Sequence, residues 1–147
     1  MLPEKRQQRL VRQKQYQIDN REELLRYQRN YYQTKIGRAK SMLKTATRRS
    51  AKFDKETDLD IDFILNLLEN NSCAVTGLPF DYSSTSDTKC NPFAPSIDRI
   101  DSNQGYLKSN VRLVIWQYNL MKGEMSDEDV YLICKEVVNA REKILSG

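Results

Sequence analysis

Histidine is absent from the 147 residues of the chain. Because imidazole is the usual general base near neutral pH, an enzyme with this sequence must move protons through other groups. Cysteine is scarce as well, with only Cys73, Cys90 and Cys134. An odd number of cysteines without framework spacing predicts reduced thiols and no disulfide framework.

Long apolar runs are also missing. No stretch of about 18 apolar residues exists, so we expect no transmembrane segment. The first residues, MLPEKRQQRL, carry no apolar segment after their charges, so we expect no secretory signal. Together with the reduced thiols, these features predict an intracellular, cytoplasmic protein.

Positive charge is concentrated in the first part of the chain. Residues 1–55 hold 16 Lys and Arg against 5 Asp and Glu, a net charge of +11, whereas residues 56–147 hold 8 against 15, a net charge of −7. We interpret this as a basic helical arm over 1–55 followed by a domain over 56–147. A basic arm releases counterions from phosphates, so the distribution favours a nucleic-acid partner.

The basic arm has the composition of helices. Residues 4–34 contain no Gly or Pro and have a thin apolar stripe, which predicts a helix that needs a partner: DNA, the rest of the body or a second copy. Gly37 predicts a break, and a second basic helix follows. Its predicted inner face consists of Ala39, Met42, Leu43, Ala46 and Phe53.

A helix, a short strand, a loop and a last helix are predicted from local signals. The stretch TDLDIDFILNLLENNS predicts a helix capped by Thr57, and CAVTGLPFD predicts a short strand with a turn at Gly77. A loop is expected over residues 82–94. Ser126 and Asp129 form a variant capping box that predicts a last helix over about 127–145. Its predicted buried face is Val130, Ile133, Cys134, Val137, Val138 and Ile144.

Between residues 95 and 123 the chain predicts strand, turn, strand and helix. SIDRI alternates as a strand, SNQG supplies a turn, NVRLVI is a second strand, and WQYNLMKG predicts a helix that ends at Gly123. The predicted fold class is therefore α+β, with basic N-terminal helices, a small two-strand and helix core, and a C-terminal helix.

The segments CAVTGLPFD and PSIDRIDSNQGYLKSNVRLVIWQYNLMK, with the leader TKIGRAKSMLKTATRRSAKF, resemble the HNH (ββα-metal) endonucleases. The resemblance is to phage-type members with an Asp-Arg-Ile-Asp strand, and it covers about residues 35–125. It implies a ββα-metal core and a divalent-metal-dependent phosphodiester hydrolase that cuts or nicks double-stranded DNA.

The resemblance also assigns roles to residues. Asp98 takes the place of the metal ligand on the first strand, and Arg99 stands where the family has its general-base histidine. Asn110 matches the asparagine that braces the loop. Asn119 matches the ligand on the helix, and Lys122 matches a basic residue one turn further on.

The donor types agree with a hard cation. The carboxylate of Asp98 and the amide carbonyl of Asn119 suit Mg²⁺ or Mn²⁺, with a substrate phosphate completing a weak site. Cys73 falls where relatives have the first cysteine of a zinc knuckle. No second cysteine follows two residues later, so we expect no structural zinc.

Arg99 cannot act as a base, because a guanidinium group stays protonated near neutral pH. It is suited to clamp a phosphate in the transition state. The proton must then leave through Tyr106, through Tyr82 or to bulk hydroxide. A tyrosine serves as a base only when a nearby cation such as Arg99 stabilises its phenolate.

The sequence leaves competing interpretations open. Asp98 and Asp101 can also be read as residues that flank a turn and pair with Arg99. A non-catalytic DNA-binding or assembly protein on a degenerate HNH fold explains the missing histidine, and a helical partner-binding protein whose basic arm forms a coiled coil is a third hypothesis. A homodimer is compatible with the sequence, and the resemblance indicates phage or bacterial origin. The predicted DNA contacts are Arg38, Lys40, Lys44, Arg48, Arg49, Lys108 and Lys122.

Overall fold

A computed structural model describes residues 4–83 and 91–146 of the chain. These residues form an α+β structure with six helices and one two-stranded antiparallel sheet. The helices are α1 (Glu4–Asp19), α2 (Arg21–Tyr32), α3 (Lys35–Lys52), α4 (Ile61–Glu69), α5 (Trp116–Lys122) and α6 (Asp127–Ser146); the strands are β1 (Pro95–Arg99) and β2 (Val111–Ile115). Within these ranges, no helix is both long enough and apolar enough to cross a membrane.

The predicted helix over residues 4–34 forms as two helices, α1 and α2, which meet at Asn20. Neither helix contains a buried residue. The apolar side chains of this stretch, such as Val11 and Tyr27, are 69% and 72% exposed. The thin stripe noted in the sequence therefore remains uncovered in the single chain.

The break predicted at Gly37 is wrong, because Gly37 lies in the first turn of α3. Thr34 caps this helix by accepting a hydrogen bond from the Gly37 N–H at 3.1 Å. A Cβ atom on Gly37 would lie 2.0 Å from the carbonyl oxygen of Tyr31. Glycine is therefore needed here so that the end of α2 can approach α3 closely.

The inner face of α3 forms part of the core. Ala39, Met42 and Ala46 are buried as predicted, and α3 packs against α4 and β1. Phe53 was assigned to the same face, and that assignment is wrong, since 60% of its surface is exposed. Helix α3 ends at Lys52, so Phe53 leaves the helical periodicity that would turn it inward.

Helix α4 begins later than the sequence indicated. Asp60, not Thr57, caps it by accepting a hydrogen bond from the Phe63 N–H at 2.8 Å. Thr57 instead donates to the carbonyl oxygen of Tyr106 at 3.1 Å, which ties the start of this segment to the hairpin loop. Ile64 and Leu68 are fully buried and anchor α4 in the core.

The segment after α4 folds as a turn. Among the described residues 73–81 no strand forms, so the predicted strand is wrong. Gly77 adopts a φ of +70°, as expected at a tight turn, and an isolated bridge joins Ser72 to Pro79. A strand needs a second strand beside it to form a hydrogen-bonded ladder, and this short turn does not supply one. Residues 84–90 of the predicted loop, including Cys90, lie outside the described residues.

The predicted hairpin and the helix after it are confirmed. β1 and β2 pair in an antiparallel register that sets Asp98 directly opposite Arg112. Helix α5 follows β2 without a connecting loop and ends at Lys122, directly before Gly123, which has a φ of +54°. The core lies where α3 and α4 cover this hairpin.

The last helix, α6, begins as predicted. The Ser126 hydroxyl accepts from the Asp129 N–H at 3.1 Å, and the Asp129 carboxylate accepts from the Ser126 N–H at 3.3 Å, which is the reciprocal arrangement of a capping box. Val130 is its one buried residue. The remaining residues of the predicted buried face are not buried, because α6 contacts the body only near its start. They are Ile133, Cys134, Val137, Val138 and Ile144.

Candidate nucleic-acid and metal site

A cleft of about 560 Å³ runs between α3 and the β1–α5 unit. Three arginines contribute to its wall: Arg38 and Arg49 from α3 and Arg99 from the end of β1. Asp98 and Asn119 also line it. Its other polar lining residues include Ser41, Thr45, Ser96, Ser102 and Tyr106. A cleft with guanidinium groups and hydroxyls on its walls is suited to a phosphate-bearing ligand.

Asp98 is buried and already paired with cations. Its side chain is 2% exposed, and its Oδ1 accepts from the Lys122 ammonium at 3.2 Å. Its Oδ2 accepts from Arg112 Nε at 2.9 Å, with Arg112 Nη2 also at 2.9 Å. Lys122 is fully buried and donates to the carbonyl oxygen of Arg99 at 2.8 Å as well. The carboxylate therefore has two positive neighbours inside the fold.

Arg112 was missed by the sequence analysis. It bridges Asp98 to Asp127 at the start of α6, at 2.5 Å, and Tyr118 donates to the same Asp127 oxygen at 2.8 Å. The signal that could have revealed it is an arginine within the apolar strand NVRLVI, since a charge there needs a partner across the sheet.

The charges of this network shift the ionisation of its members. The hydrogen bond from Arg112 is the main cause that holds the pKa of Asp127 below its ordinary value. The hydrogen bond to Asp127 chiefly raises the pKa of Arg112. Burial, followed by the hydrogen bond to Asp127, raises the pKa of Tyr118. These shifts keep Asp127 ionised and both Arg112 and Tyr118 protonated.

Asn119 has a fixed amide orientation. Its Nδ2 donates to the Ser96 hydroxyl at 2.7 Å and to the carbonyl oxygen of Ile97 at 2.8 Å. A carbonyl oxygen can only accept, so the nitrogen must face β1 and the assignment of the amide is unambiguous. Among the described residues, the Oδ1 of Asn119 accepts no hydrogen bond. This oxygen is the atom available to a ligand.

The oxygen atoms of Asp98 and Asn119 are donors of the kind that a hard divalent cation prefers. The positive charge around them limits the affinity of the site for such a cation. Asn119 offers a carbonyl oxygen, and Asp98 Oδ1 has one long hydrogen bond from Lys122. Within the described residues, no three His, Cys, Asp or Glu side chains group into a metal site. A cation here would depend on Asp98, Asn119, water and the substrate, and would have to displace the Lys122 ammonium.

Arg99 and Tyr106 lie together on the wall of the cleft. The Arg99 guanidinium stands 5.1 Å from the centre of the Tyr106 ring and donates to the carbonyl oxygen of Gln104 at 3.0 Å. Arg49 reaches the Tyr106 hydroxyl at 3.4 Å. Two guanidinium groups beside one phenol can hold a phosphate.

Asn110 braces the loop that connects the two strands. Its Oδ1 accepts from the Asp101 N–H at 3.0 Å, and its Nδ2 donates to the carbonyl oxygens of Asp101 at 2.9 Å and Gly105 at 3.0 Å. A Cβ atom on Gly105 would lie 2.1 Å from the carbonyl oxygen of Glu56. These contacts fix the loop that positions Arg99 and Tyr106. Asp101 caps its own turn and does not enter the cation network of Asp98.

Tyr82 was the second tyrosine considered for proton transfer. Burial is the main cause that raises its pKa, and the charge of Arg38 opposes the shift. Its hydroxyl has no hydrogen-bond partner among the described residues. A raised pKa makes Tyr82 harder to convert to the phenolate than an ordinary tyrosine, so it is a less suitable base.

The structure places the proposed DNA-contacting cations in different surroundings. Lys40, Lys44, Arg48 and Arg49 are exposed on α3. Lys108 pairs with Asp60 at the start of α4, and this hydrogen bond raises the pKa of Lys108. The sequence grouped Lys122 with these contacts, but its complete burial directs its charge to Asp98 and away from the surface.

Part of the chain is similar to a phage protein. The chain is 34% identical, over 86 residues, to an uncharacterized 29.0 kDa protein in the dda-modA intergenic region of Enterobacteria phage T4. The match covers 58% of this chain and 31% of the length of the phage protein. No protein-family model matches the chain, and no solved structure does.

Proposed function

We propose that the protein is a metal-dependent DNA endonuclease of the HNH type. The observation that supports this most is the placement of Asp98 and Asn119 on the wall of one cleft with Arg38, Arg49 and Arg99. A strand–strand–helix unit, β1–β2–α5, supplies the first two residues. This order resembles the ββα-metal core expected from the sequence.

In this proposal the residues of the cleft have different roles. Arg99 and Arg49 hold the scissile phosphate, because guanidinium groups pair with phosphate oxygens and stay charged. Tyr106, between them, is positioned to take part in proton transfer. Asn110 acts as a positioning residue through the loop that it braces.

Asp98 and Asn119 would hold the cation. A bound Mg²⁺ or Mn²⁺ would neutralise charge that develops on the phosphate during hydrolysis. Lys122 is then the resident counter-ion of Asp98 in the free protein. We propose that it leaves Asp98 when substrate and cation arrive, since two cations close to one carboxylate repel each other.

The basic helices would bind the DNA backbone. The arginines and lysines of α1 and α2 are exposed, and α3 places Arg38 and Arg49 on the wall of the cleft. Such contacts add affinity and carry little sequence information. The match to a phage T4 protein supports a phage origin and an intracellular place of action as parts of the same proposal.

Incubation with supercoiled plasmid tests the function. The protein should relax or linearise the plasmid with Mg²⁺ or Mn²⁺, and a chelator should abolish cleavage. Asn119→Ala should remove activity, because it deletes the available oxygen. Asn66→Ala, at an exposed position on α4, is the matched control and should cleave normally.

Protein that remains folded but never cuts plasmid, with any of these metals, would overturn the nuclease proposal. Circular dichroism of each variant separates loss of activity from loss of fold.

A second test is the pH dependence of cleavage, which shows whether the reaction proceeds without an imidazole base. With no histidine in the chain, the rate should rise with pH across the neutral range. A bell-shaped profile centred near pH ~6.5 would contradict the proposed route for the proton.

The paired state of Asp98 favours a second candidate: a non-catalytic DNA-binding protein on the same fold. Lys122 and Arg112 already neutralise this carboxylate, so the network is stable without a metal ion. A gel shift of DNA without cleavage under all metal and pH conditions would support this candidate over the enzyme.

A further inference from the structure

Helix α6 presents a broad apolar surface that the rest of the chain does not cover. Apart from Val130, the large apolar residues of this helix are between 48% and 70% exposed. They are Tyr131, Leu132, Ile133, Val137, Val138, Ile144 and Leu145. A helix of 20 residues with this much exposed apolar surface is typical of an interaction site.

The spacing of these residues is that of a coiled coil. Ile133, Val137, Ala140 and Ile144 follow one another at intervals of four, three and four residues. This alternation averages 3.5 residues and produces a straight row that can pack against an identical row. Val130 begins the same row and is buried against the body, so the free part starts at Ile133.

The charged residues beside the row have signs that would attract the matching residues of a second copy of α6. Glu136 precedes Val137, and Arg141 follows Ala140. In a parallel pair of helices, the residue directly before Val137 on one helix faces the residue five positions later on the other helix. Glu136 of each copy would therefore meet Arg141 of the other, which gives two attractive pairs by symmetry.

The choice of β-branched residues supports the same arrangement. Val137 and Ile144 occupy the equivalent position in successive repeats, where parallel two-stranded coils have β-branched residues; Ile133 and Ala140 occupy the position where such coils have leucine. The start of α6 is tied to the body through Asp127 and Arg112. A parallel pair therefore keeps both bodies at the same end of the paired helices.

We propose that α6 pairs in parallel with α6 of a second copy of this chain through Ile133, Val137, Ala140 and Ile144. This surface is separate from the cleft, and the inference does not rest on the nuclease proposal. The occupant is a second copy because both the apolar row and its flanking charges are self-complementary.

Sedimentation of the full chain over a range of concentrations tests the pairing. A concentration-dependent dimer is expected, and Val137→Glu should raise its dissociation constant by at least about tenfold, because it buries a charge in the row. Lys135→Gln is the matched control: it makes the same change of charge on the opposite side of α6 and should leave the dimer intact.

A charge exchange tests the parallel alignment. Glu136→Arg and Arg141→Glu should each weaken the dimer, and the double variant should restore it, since the attractive pairs are then re-formed with reversed signs. Circular dichroism confirms that each variant keeps its helices.

Three results would overturn the inference. One is a monomer at every concentration up to about 100 µM, a range that detects even weak dimers. A second is a dimer that Val137→Glu leaves unchanged. The third is a double variant that stays as weak as the single variants. A dimer that persists in Val137→Glu and disappears when residues 1–30 are deleted would assign the interface to the arm.

Discussion

Helices α1 and α2, the first part of the basic arm, and the body around the β1–β2 hairpin use charged residues in opposite ways. These two helices expose their arginines and lysines and bury none of their residues. In the body, Lys122 is fully buried and Arg112 is mostly buried, and each pairs with Asp98. Exposed charges act through their number and are screened by salt, whereas buried charges act through specific partners.

The largest expected effect comes from removing the partner of the buried charges. Asp98→Ala leaves the buried Lys122 without its carboxylate and leaves Arg112 with Asp127 alone, so the free energy of unfolding should fall by about 3–5 kcal/mol. Urea unfolding followed by circular dichroism measures the loss. Plasmid cleavage should disappear in the same variant.

Asp19→Ala is the control for this change, because Asp19 is an exposed carboxylate at the end of α1. It should alter stability by less than about 0.5 kcal/mol. Equal effects of the two substitutions would remove the distinction between arm and body.

The second largest effect is expected from deletion of residues 1–30. This deletion should weaken DNA binding only at low salt concentration. The deleted segment carries eight of the basic residues of the arm, and the deletion keeps Tyr31 for its contact with Gly37. The slope of log K against log salt should shrink by about 0.9 for each phosphate that the shortened protein no longer neutralises. Fluorescence anisotropy at several salt concentrations measures it.

The unfolding free energy of the shortened protein is the control for this deletion and should stay close to that of the full chain. An equal loss of affinity at all salt concentrations would show that the arm is structural.

Lys122→Met should change metal affinity in the free protein. It removes the ammonium that competes at Asp98 Oδ1 and leaves the Arg112 pair in place. We expect Mn²⁺ to bind about tenfold more tightly, because a like charge beside the site is gone. Calorimetry without DNA measures this directly.

Addition of Asp98→Asn to Lys122→Met should cancel the gain in Mn²⁺ affinity. An unchanged affinity in folded Lys122→Met protein would rule out competition by Lys122, whatever the outcome of the cleavage assay.

The smallest expected effect is on acid stability. The Arg112 hydrogen bond lowers the pKa of Asp127 in the folded state, so this carboxylate contributes stability above its ordinary value of 3.8. That contribution is lost as the pH falls below 3.8 and through the lowered folded-state value. Thermal unfolding from pH ~5 to ~2 should therefore show a shallower decline in Asp127→Asn than in the unaltered protein.

Asp62→Asn is the matched comparison for acid stability, because Asp62 is an exposed carboxylate of α4. If both variants decline alike, Asp127 does not link α6 to the body through its charge.

The hairpin and α5 were predictable because their signals are local. Alternating apolar residues, a turn sequence and Gly123 define strand, turn and helix without help from the rest of the chain. The cap of α4 was predicted at the wrong residue, since both Thr57 and Asp60 can cap a helix and the contact of Thr57 with Tyr106 decided between them. The role of Gly37 depended on the approach of α2, which local sequence does not reveal.

The candidate site was predictable in part. Asp98 and Asn119 were assigned through a resemblance, and the structure places both on one cleft. The pairing of Asp98 with Lys122 and Arg112 was not predicted, because these residues lie 24 and 14 positions away along the chain. Which cation reaches a carboxylate depends on strand register and on the packing of α5.

The sequence by itself determined the helices, the hairpin and the concentration of positive charge in the arm, since these follow from periodicity, turn residues and composition. Only the tertiary structure decided which charges are buried and paired, and which apolar face of α6 remains uncovered. The physical reason is that burial and ion pairing depend on distances between segments that are remote in the chain, and no local pattern encodes those distances.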